Sequence, residues 1–471
     1  MSRLSLQGVA DATGGRWAVA PSDPNATITG VSTDTRTIKP NELFLALVGP
    51  NHDGHDHARA AVEAGASCVI AMREVDSRGM PALLVKDTRR ALADLARAHR
   101  ATLTNATVIA VTGSNGKTTT SRLLAGVLAE RGTVHASPKS FNNDIGVPLT
   151  ILGASRDAET LICEVGTNAP GEIAPLAEII RPDIAVITSI GRAHLEALGS
   201  REGIAEEKSA IFGHLSESGL AIIPADEPLL RRVHDGKRRV VTFGASSDAD
   251  IRVSEVRHEP CGGGMGVRFT INGSREFLVP LAGVHNAMNA SIAVAVGQRL
   301  GMSDELIRRG LLNVDAPEDR LRVRVHGGVT LVNDAYNANP DSMLAALHAF
   351  HELSVGATRR VLVIGSMAEL GAQTRGSHEE LAERIAEVIG PDVLVTVGEA
   401  ARTVHDAARE LLPDARREHF DTLTDEIARR IAGVFGSGDA VLLKGSRTNA
   451  LERIERALAD VTDDASSCST G

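Results

Sequence analysis

The chain has 471 residues, of which 43% are hydrophobic, 23% charged and only 2% aromatic, with a formal net charge of −10. At about 150 residues per domain, this length and composition predict roughly three soluble globular domains with aliphatic cores. The acidic balance and the absence of a Lys/Arg-rich stripe argue against a general nucleic-acid binder and leave small anionic ligands open.

The N-terminus, Met1-Ser-Arg-Leu-Ser-Leu6, lacks the apolar run of a signal peptide. No segment approaches the roughly 20 apolar residues of a membrane span. The four cysteines are far apart without metal-binding spacing, so we interpret them as buried or incidental thiols. We therefore expect a cytoplasmic protein with no membrane insertion.

The first region, residues 1–104, mixes short strands with Ala-rich helices. Strands are predicted over 27–31, 43–48, 67–71 and 82–85, and a helix over 89–100. We expect a small α/β N-terminal domain.

The second region, residues 105–316, begins with an apolar strand over 108–112 that runs into glycines and then into a periodic helix over 118–131. Further buried strands are predicted over 160–165, 184–189 and 220–224, with helical segments between them. This alternation predicts a mostly parallel sheet covered on both faces. Short alternating strands over 250–282, with a turn at 262–264, predict an antiparallel addition, and a helix is expected over 286–300.

The third region, residues 317–462, again alternates strands and helices, which predicts a Rossmann-like C-terminal domain. Its segments are strands over 329–332, 360–364, 393–397 and 440–443 and helices over 343–353 and 378–389. Residues 463–471 are small and polar, and we expect a disordered tail there. The predicted fold class is thus α/β with three domains, the middle one a P-loop mononucleotide-binding domain.

The loop Gly113-Ser114-Asn115-Gly116-Lys117-Thr118 carries the clearest chemical signal. A strand, a glycine loop and a helix N-terminus direct backbone N–H groups at an anion. Lys117 supplies a charge for the β/γ-phosphates, and the Thr118 hydroxyl is the usual Mg²⁺ ligand. The standard P-loop pattern would place glycine where this chain has Val111, so the loop is a variant. It predicts mononucleotide binding, with Thr112 and Thr119 flanking the phosphates.

What the nucleotide does is decided elsewhere. No Asn-Lys-x-Asp motif of a GTPase is present, whereas a mechanical ATPase or a small-molecule kinase stays open. Glu164 ends an apolar strand, where an acid can hold a hydroxyl, a water or Mg²⁺ near phosphates. His194 and Lys208 are ambiguous on spacing alone, and Lys208, which follows two acids, would by default lie on a solvated helix face.

Five further motifs lie in order along the chain. They are Val31-Ser-Thr-Asp-Thr-Arg36, Asn142-Asn-Asp-Ile-Gly-Val-Pro148, Gly283-Val-His-Asn286, Asp334-Ala-Tyr-Asn-Ala-Asn-Pro340 and Lys444-Gly-Ser-Arg447. Taken alone, residues 334–340 could be only a turn and residues 444–447 a plain strand–helix connection. Together with the phosphate loop, Glu164, His194, Lys208 and Arg320, however, they resemble the Mur ligases, ATP-dependent ligases of peptidoglycan precursor synthesis. The resemblance covers nearly the whole chain.

The resemblance implies how ATP and metal are held. Thr118 and Glu164 would hold one Mg²⁺ and His194 a second, together with Lys208 carbamylated by CO₂, because a carbamate is an oxygen anion that can bind a hard cation. Lys117, Glu164, His194 and Lys208 are the implied catalytic residues. The implied nucleotide contacts beyond the loop are His285, Asn286, Asn289, Arg320, Asp334, Tyr336, Asn337 and Asn339.

The resemblance also implies the substrates. Residues 142–148, 367–371 and 443–447 are most similar to the family member that adds D-alanyl-D-alanine to UDP-N-acetylmuramoyl-tripeptide. The uridine end of the substrate would contact Ser32, Thr33, Asp34 and Arg36. The muramoyl peptide would contact Asn142, Asn143, Asp144, Thr167 and Asn168. The dipeptide would contact Lys444, Ser446 and Arg447. The family often has Asp where this chain has Ser366, so the chain departs from the family pattern at this position.

The implied reaction proceeds through an acyl phosphate, and we expect a monomer that closes its third domain over ATP. The alternatives are another ligase of this fold, such as the tripeptide-forming UDP-MurNAc-dipeptide ligase, or an ATP-driven binding or regulatory protein without ligase chemistry. The Asp-Asn-Pro-Arg motif typical of the diaminopimelate-adding form is absent from the chain.

Overall fold

The computed structural model describes residues 4–138, 140–233, 239–262, 264–314 and 319–468. Three successive regions each build their own mainly parallel sheet with helices packed against it. The predicted three-part α/β fold class is confirmed. Among the described residues, no helix is long and apolar enough to cross a bilayer.

The first region carries a five-stranded sheet in the order β2-β7-β6-β5-β4 and a separate pair, β1 with β3. Its strands are β1 (Leu4–Ser5), β2 (Arg16–Val19), β3 (Thr27–Ile28), β4 (Gly30–Ser32), β5 (Glu42–Leu45), β6 (Cys68–Ala71) and β7 (Ala82–Leu84), and its helices are α1 (Leu6–Thr13), α2 (Ala58–Glu63) and α3 (Thr88–Arg100). Asp87 caps α3 by accepting the N–H groups of Arg89 and Arg90. The strand predicted over 27–31 is divided between β3 and β4.

The middle region carries a nine-stranded sheet in the order β16-β15-β14-β13-β12-β11-β8-β10-β9. Its strands are β8 (Thr107–Thr112), β9 (Val134–Ala136), β10 (Thr160–Glu164), β11 (Ile184–Ile187), β12 (Leu220–Pro224), β13 (Arg239–Gly244), β14 (Ile251–Cys261), β15 (Gly264–Ile271) and β16 (Arg275–Val279), and its helices are α4 (Lys117–Ala129), α5 (Gly146–Gly153), α6 (Ile173–Ile180), α7 (Leu195–Leu198), α8 (Arg201–Ser209), α9 (His285–Arg299) and α10 (Asp304–Leu312). Strands β8 to β14 pair in parallel, and β14, β15 and β16 form the predicted antiparallel addition.

The central strands of this sheet end together. Glu164 at the end of β10 pairs with Val111 of β8, and Thr112 of β8 pairs with Ile187 of β11. Because parallel strands share their carboxyl edge, the loops after β8, β10 and β11 meet at one place. This edge carries the phosphate loop.

The third region carries a six-stranded sheet in the order β17-β18-β22-β19-β20-β21, parallel except for β17. Its strands are β17 (Arg322–His326), β18 (Val329–Asp334), β19 (Arg360–Gly365), β20 (Val393–Val397), β21 (Arg416–Phe420) and β22 (Ala440–Lys444), and its helices are α11 (Pro340–Leu353), α12 (Thr374–Val388), α13 (Arg402–Leu411), α14 (Asp425–Ala432) and α15 (Glu452–Cys468). The expected domain boundary at 316/317 lies outside the described residues. The expected tail begins at 463, inside the span of α15, and residues 469–471 lie outside the described part of the chain.

Candidate active site

A cavity of about 580 Å³ lies between the carboxyl edge of the middle sheet and the third region. It brings together most of the site residues predicted from sequence: Ser114, Asn115, Gly116, Lys117, Thr118, Thr119, Asn142, Asn143, Glu164, Thr167, Asn168, His194, His285, Asn286, Asn289, Arg320, Asp334, Tyr336, Asn337, Asn339 and Lys444. The predicted residues that do not line it are Thr112, Gly113, Lys208, Ser32, Thr33, Asp34, Arg36, Asp144, Ser446 and Arg447.

The phosphate loop is shaped by two glycines with positive φ. A Cβ on Gly113 would stand 1.8 Å from Oγ1 of Thr188, and a Cβ on Gly116 would stand 2.4 Å from Oδ1 of Asn289. Neither position therefore tolerates a side chain without displacement of its neighbour. The backbone N–H of Ser114 donates to the carbonyl of Ser189 at 2.9 Å, which ties the loop to the end of β11.

Lys117 begins α4 beside this loop. Its Nζ donates to the carbonyl oxygen of Gly113 at 2.8 Å and lines the cavity. Burial lowers the pKa of Lys117, and the nearby Glu164 carboxylate opposes that shift. The ammonium is thus aimed at the space where a phosphate chain on this loop would lie.

Glu164 is 1% exposed and points into the same cavity. Its Oε1 accepts a hydrogen bond from Nδ2 of Asn142 at 2.8 Å, whereas its Oε2 is buried and has no hydrogen-bond partner among the residues that the structure describes. A buried carboxylate oxygen left unsatisfied is costly unless a ligand completes it. Thr118, which lines the cavity too, accepts a hydrogen bond at Oγ1 from Arg320 at 3.2 Å.

Lys208 is 1% exposed, so the default interpretation of a solvated helix face is wrong. Its neighbour Glu207 is also buried and accepts the N–H groups of Gly171 and Ile173 at 2.6 and 2.8 Å. The acid therefore anchors the start of α6 instead of facing water. Burial, reinforced by the charge of Lys117, lowers the pKa of Lys208 well below its usual value. Its Nζ makes no hydrogen bond with any residue of the described ranges.

His194 lies between the middle and third regions. Its Nδ1 is 2.5 Å from Oε2 of Glu369, an approach that is not a well-aligned hydrogen bond. Burial lowers the pKa of His194, the Glu369 carboxylate raises it, and the charges of Lys117 and Lys208 lower it further. The lowered pKa favours the neutral imidazole, a form that can bind a metal ion or accept a hydrogen bond.

The third region contributes an amide contact and an aromatic face. Nδ2 of Asn339 donates to Oδ1 of Asn115 at 2.9 Å, and Asn339 also caps α11. The guanidinium carbon of Arg320 lies 4.2 Å from the ring centroid of Tyr336. Arg447 approaches the same ring at 5.4 Å, which places it near the cavity although it is not part of the lining.

The start of α9 supplies further middle-region residues of the cavity. Asn286 donates from Nδ2 to the carbonyl of Ala282 at 2.7 Å, and Asn289 donates to Oδ1 of Asn286 at 2.9 Å. Burial lowers the pKa of His285. Asn286 and Asn289 are thus held by hydrogen bonds, and both line the cavity together with His285.

The predicted uridine-end residues lie in the first region, away from this cavity. Ser32 donates from Oγ to the carbonyl of Asp34 at 3.0 Å, and the Arg36 guanidinium lies 2.6 Å from Oδ2 of Asp34. Hydrogen bonds from the side chain and the backbone N–H of Arg36 lower the pKa of Asp34 to about 2. Asp144 pairs with Arg89 of α3 at 2.5 Å, at the junction of the first and middle regions.

Ser366 and Ser446 form a local hydrogen-bond network in the third region, and neither lines the cavity. The Oγ of Ser446 donates to the carbonyl of Ser366 at 2.8 Å, and the Oγ of Ser366 accepts the N–H of Ala401 at 3.1 Å. Ser366 therefore satisfies backbone groups of the third region.

Sequence reasoning missed several cavity residues at the ends of strands. Thr188 and Ser189 follow β11, and Asp226 follows β12. The strand-end argument that singled out Glu164 also applies to these residues. However, Thr188 and Ser189 were included in the predicted strand over 184–189 and were therefore not considered as strand-end residues. Glu172, Ser140 and Asp341 also line the cavity and carried no such local signal.

The fold and the cavity define a P-loop nucleotide-binding enzyme of three α/β regions. Family models described as Mur ligase family catalytic domain, Mur ligase middle domain and Mur ligase glutamate ligase domain match residues 27–100, 111–297 and 319–447. The UDP-N-acetylmuramoyl-tripeptide--D-alanyl-D-alanine ligase of Bacillus subtilis (strain 168) is 36% identical over 467 residues, which cover 98% of this chain and 99% of that protein.

Solved structures of similar proteins are also ligases of this family. A crystal structure of MurF from Acinetobacter baumannii matches with a TM-score of 0.85 at 30% identity, covering 98% of this chain and 99% of that one. The MurF ligase of Thermotoga maritima, solved in complex with ADP, matches with a TM-score of 0.77 at 29% identity, covering 93% and 98%. The chain belongs to the Mur ligase family and is an ATP-dependent, ADP-forming ligase.

Proposed function

We propose that the chain joins D-alanyl-D-alanine to UDP-N-acetylmuramoyl-tripeptide at the expense of ATP, giving the UDP-MurNAc-pentapeptide used in peptidoglycan synthesis. The observation that carries this proposal is the 36% identity, over 98% of the chain, to a ligase of that name. The chain would work as a cytoplasmic monomer with domains at 1–104, 105–316 and 317–462 and a tail at 463–471.

ATP would lie with its phosphates on the loop 113–118. Lys117 would neutralise charge on the β/γ-phosphates, and Arg320, which already contacts Thr118, would do so from the side of the third region. His285, Asn286, Asn289, Asp334, Tyr336, Asn337 and Asn339 would surround the rest of the nucleotide. All seven line the same cavity, which supports this role.

The donor set fits Mg²⁺. The unpartnered Oε2 of Glu164 and the Thr118 hydroxyl are hard oxygen ligands facing one cavity. His194 and a carbamylated Lys208 would provide a second set. When bound, Mg²⁺ would neutralise phosphate charge during transfer.

Carbamylation suits Lys208 because burial lowers the pKa of its amine well below the usual value and so favours the neutral, nucleophilic form. Attack of the amine nitrogen on CO₂ forms an N–C bond and releases one proton. The product replaces a costly buried cation with an oxygen anion that can be compensated by Lys117 or by a metal.

The substrates would meet at the Glu164 end of the cavity. Asn142, Asn143, Thr167 and Asn168 would guide the muramoyl peptide from the first region, with Asp144 at its entrance and Ser32, Thr33, Asp34 and Arg36 at the uridine end. Lys444, Ser446 and Arg447 would receive the dipeptide. An oxygen of the tripeptide's terminal carboxylate attacks the γ-phosphorus and ADP leaves. The dipeptide amine then attacks the acyl carbon, phosphate leaves, and one proton is released.

The proposed function is tested by measuring the mass of the ligation product. Incubation with ATP, Mg²⁺, D-alanyl-D-alanine and UDP-MurNAc-tripeptide, carrying either diaminopimelate or lysine, should give the tripeptide extended by one dipeptide, with one phosphate released per amide bond formed. No product from either tripeptide, together with turnover of UDP-MurNAc-dipeptide plus a diamino acid, would instead establish the tripeptide-forming alternative.

A further inference from the structure

The segment Met367–Gly371 helped to choose the substrate but has no role in the chemistry above. It follows β19, and its Glu369 has a φ of +61°. His194, on the facing loop of the middle region, has a φ of +58°. Non-glycine residues in this conformation cost about 1 kcal/mol each, so they persist where surrounding contacts hold them and concentrate at functional sites.

These two strained residues contact each other. Nδ1 of His194 is 2.5 Å from Oε2 of Glu369, and the backbone N–H of Glu196 donates to the carbonyl of Glu369 at 3.1 Å. Gly371 packs so closely that a Cβ there would stand 3.3 Å from Cα of Glu196. The loop of the third region thus meets the His194 loop through both backbone and side chain.

Arg192, two residues before His194 on the same middle-region loop, makes a second contact with the third region. The backbone N–H of Arg192 donates to Oδ2 of Asp341 at 2.6 Å, and its guanidinium pairs with Glu380 at 2.7 Å. Arg192 pairs with acids of α11 and α12, so the two regions are also joined by a tether that does not involve Glu369. The Glu369 carboxylate instead lies against the His194 imidazole.

The geometry defines that role. His194 lines the cavity while its Nδ1 is buried against Glu369, so Nε2 is the ring nitrogen left for the cavity. A carboxylate at Nδ1 favours the tautomer with the proton on Nδ1 and leaves the lone pair on Nε2, as carboxylates do for histidine ligands. A poorly aligned pair in a ligand-free site is expected to tighten when substrates bind.

We propose that Glu369 is a positioning residue that fixes the tautomer and orientation of His194 when the third region docks, so that His194 is competent only in the closed enzyme. This inference rests on the proposed function, in which His194 acts at the reacting end of ATP. The competing explanation is that Glu369 is only one more tether between the two regions.

The test compares Glu369→Ala and Glu369→Gln with Glu380→Gln, a matched loss of an interdomain carboxylate that does not touch His194. Nitrogen-15 NMR of histidine-labelled enzyme with ADP and Mg²⁺ at pH 8 reads the tautomer, and subtraction of the His194→Gln spectrum identifies the signal. Wild type and Glu380→Gln should carry the proton on Nδ1. Glu369→Ala should shift it towards Nε2.

Kinetics provide the second readout. Glu369→Ala should lower kcat about 10- to 100-fold, as loss of such an outer partner typically does, with KM for ATP changed less than about threefold. Glu369→Gln should retain more activity because its amide oxygen can still accept from Nδ1, and it also serves if the alanine variant folds poorly. An unchanged tautomer in Glu369→Ala, or an equal loss of kcat in Glu380→Gln, would overturn the proposal. The NMR result stands even if wild type fails to ligate the proposed substrates, so the two failures are distinguishable.

Discussion

Nζ of Lys444 lies 2.7 Å from Oδ2 of Asp334, and the two residues are register partners at the ends of the paired strands β22 and β18. Lys444 is 3% exposed and also donates to the carbonyl of Asn337 at 2.8 Å. The pair therefore links the dipeptide end proposed for Lys444 to the loop 334–340. Its burial makes each charge dependent on the other.

Removal of one charge of the Asp334–Lys444 pair should lower the free energy of unfolding more than removal of both charges. Asp334→Asn leaves a buried ammonium uncompensated, which should cost about 3 kcal/mol of unfolding free energy and lower the Tm by several degrees. Asp334→Asn combined with Lys444→Met should recover most of that loss. Glu379→Gln, which breaks the exposed Arg375–Glu379 pair, should cost less than about 1 kcal/mol. Calorimetry of wild type, Asp334→Asn, the double variant and Glu379→Gln measures these differences in stability. A double variant no more stable than Asp334→Asn would contradict the expectation that the two buried charges compensate each other.

The glycine at the end of the phosphate loop offers a second test. Gly116→Ala and Gly301→Ala both place a side chain at positive φ, +82° and +78°. Within the described part of the chain, only the first meets a neighbour, Asn289 at 2.4 Å, whereas a Cβ on Gly301 has no atom within 4 Å. Gly301→Ala should lose about 1 kcal/mol of stability from backbone strain, and Gly116→Ala should lose more because its Cβ also displaces Asn289. ADP binding by calorimetry should weaken more than tenfold in Gly116→Ala alone, and equal weakening in both would show that backbone strain rather than the clash is responsible.

The parallel sheets and the phosphate loop could be predicted because their signals are local. Buried strands such as β8 and β20 are continuous apolar runs, and a glycine loop before a helix has a fixed geometry. The edge strands β9 and β21 were missed because they are short and only partly buried, so hydrophobic periodicity is weak there.

Contacts between regions could not be predicted. Arg192 bonds to Asp341 and Glu380 across 149 and 188 residues of chain, and no local pattern encodes such a pairing. Lys208 was interpreted as solvated because its neighbours are acids, yet tertiary packing buries it along with Glu207. The family resemblance supplied what periodicity could not, although it gave Glu369 no role.

Lys208 should make the stability of unmodified enzyme depend on pH. Between its lowered pKa and the ordinary value of 10.5, the unfolded chain binds a proton that the folded chain does not. The free energy of unfolding therefore rises with pH in that window, by at most about 1.4 kcal/mol per pH unit. In CO₂-free buffer between pH 8 and 10, Lys208→Met should lose this slope and be the more stable protein at pH 8. The exposed Lys39 offers the control Lys39→Met, and an unchanged slope in Lys208→Met would refute the assignment.

The same lysine tests the proposed chemistry. Lys208→Ala should abolish ligation while ADP affinity stays within a few-fold, because Lys208 does not line the cavity. Short carboxylates such as formate should restore part of the activity by supplying the missing oxygen anion. Phosphate release with and without formate measures this, with Lys39→Ala unaffected. Full activity of Lys208→Ala in the absence of formate would rule out a carbamate ligand.

The amide pair Asn115–Asn339 should couple nucleotide binding to docking of the third region. Asn339→Ser keeps a good helix cap but loses the side-chain amide, so stability should change by less than about 1 kcal/mol. The lost contacts with Asn115, at 2.9 and 3.4 Å, should weaken ADP binding about three- to tenfold, as expected for one or two neutral hydrogen bonds. Asn115→Ala should weaken it similarly.

Because each substitution removes the same contact, the double variant should bind ADP about as weakly as either single variant, which is the signature of direct coupling in a double-mutant cycle. Scattering profiles should show the same loss of nucleotide-induced compaction in all three proteins. Additive losses of affinity would mean that Asn115 and Asn339 act independently, Asn115 through the phosphate loop and Asn339 only through the start of α11.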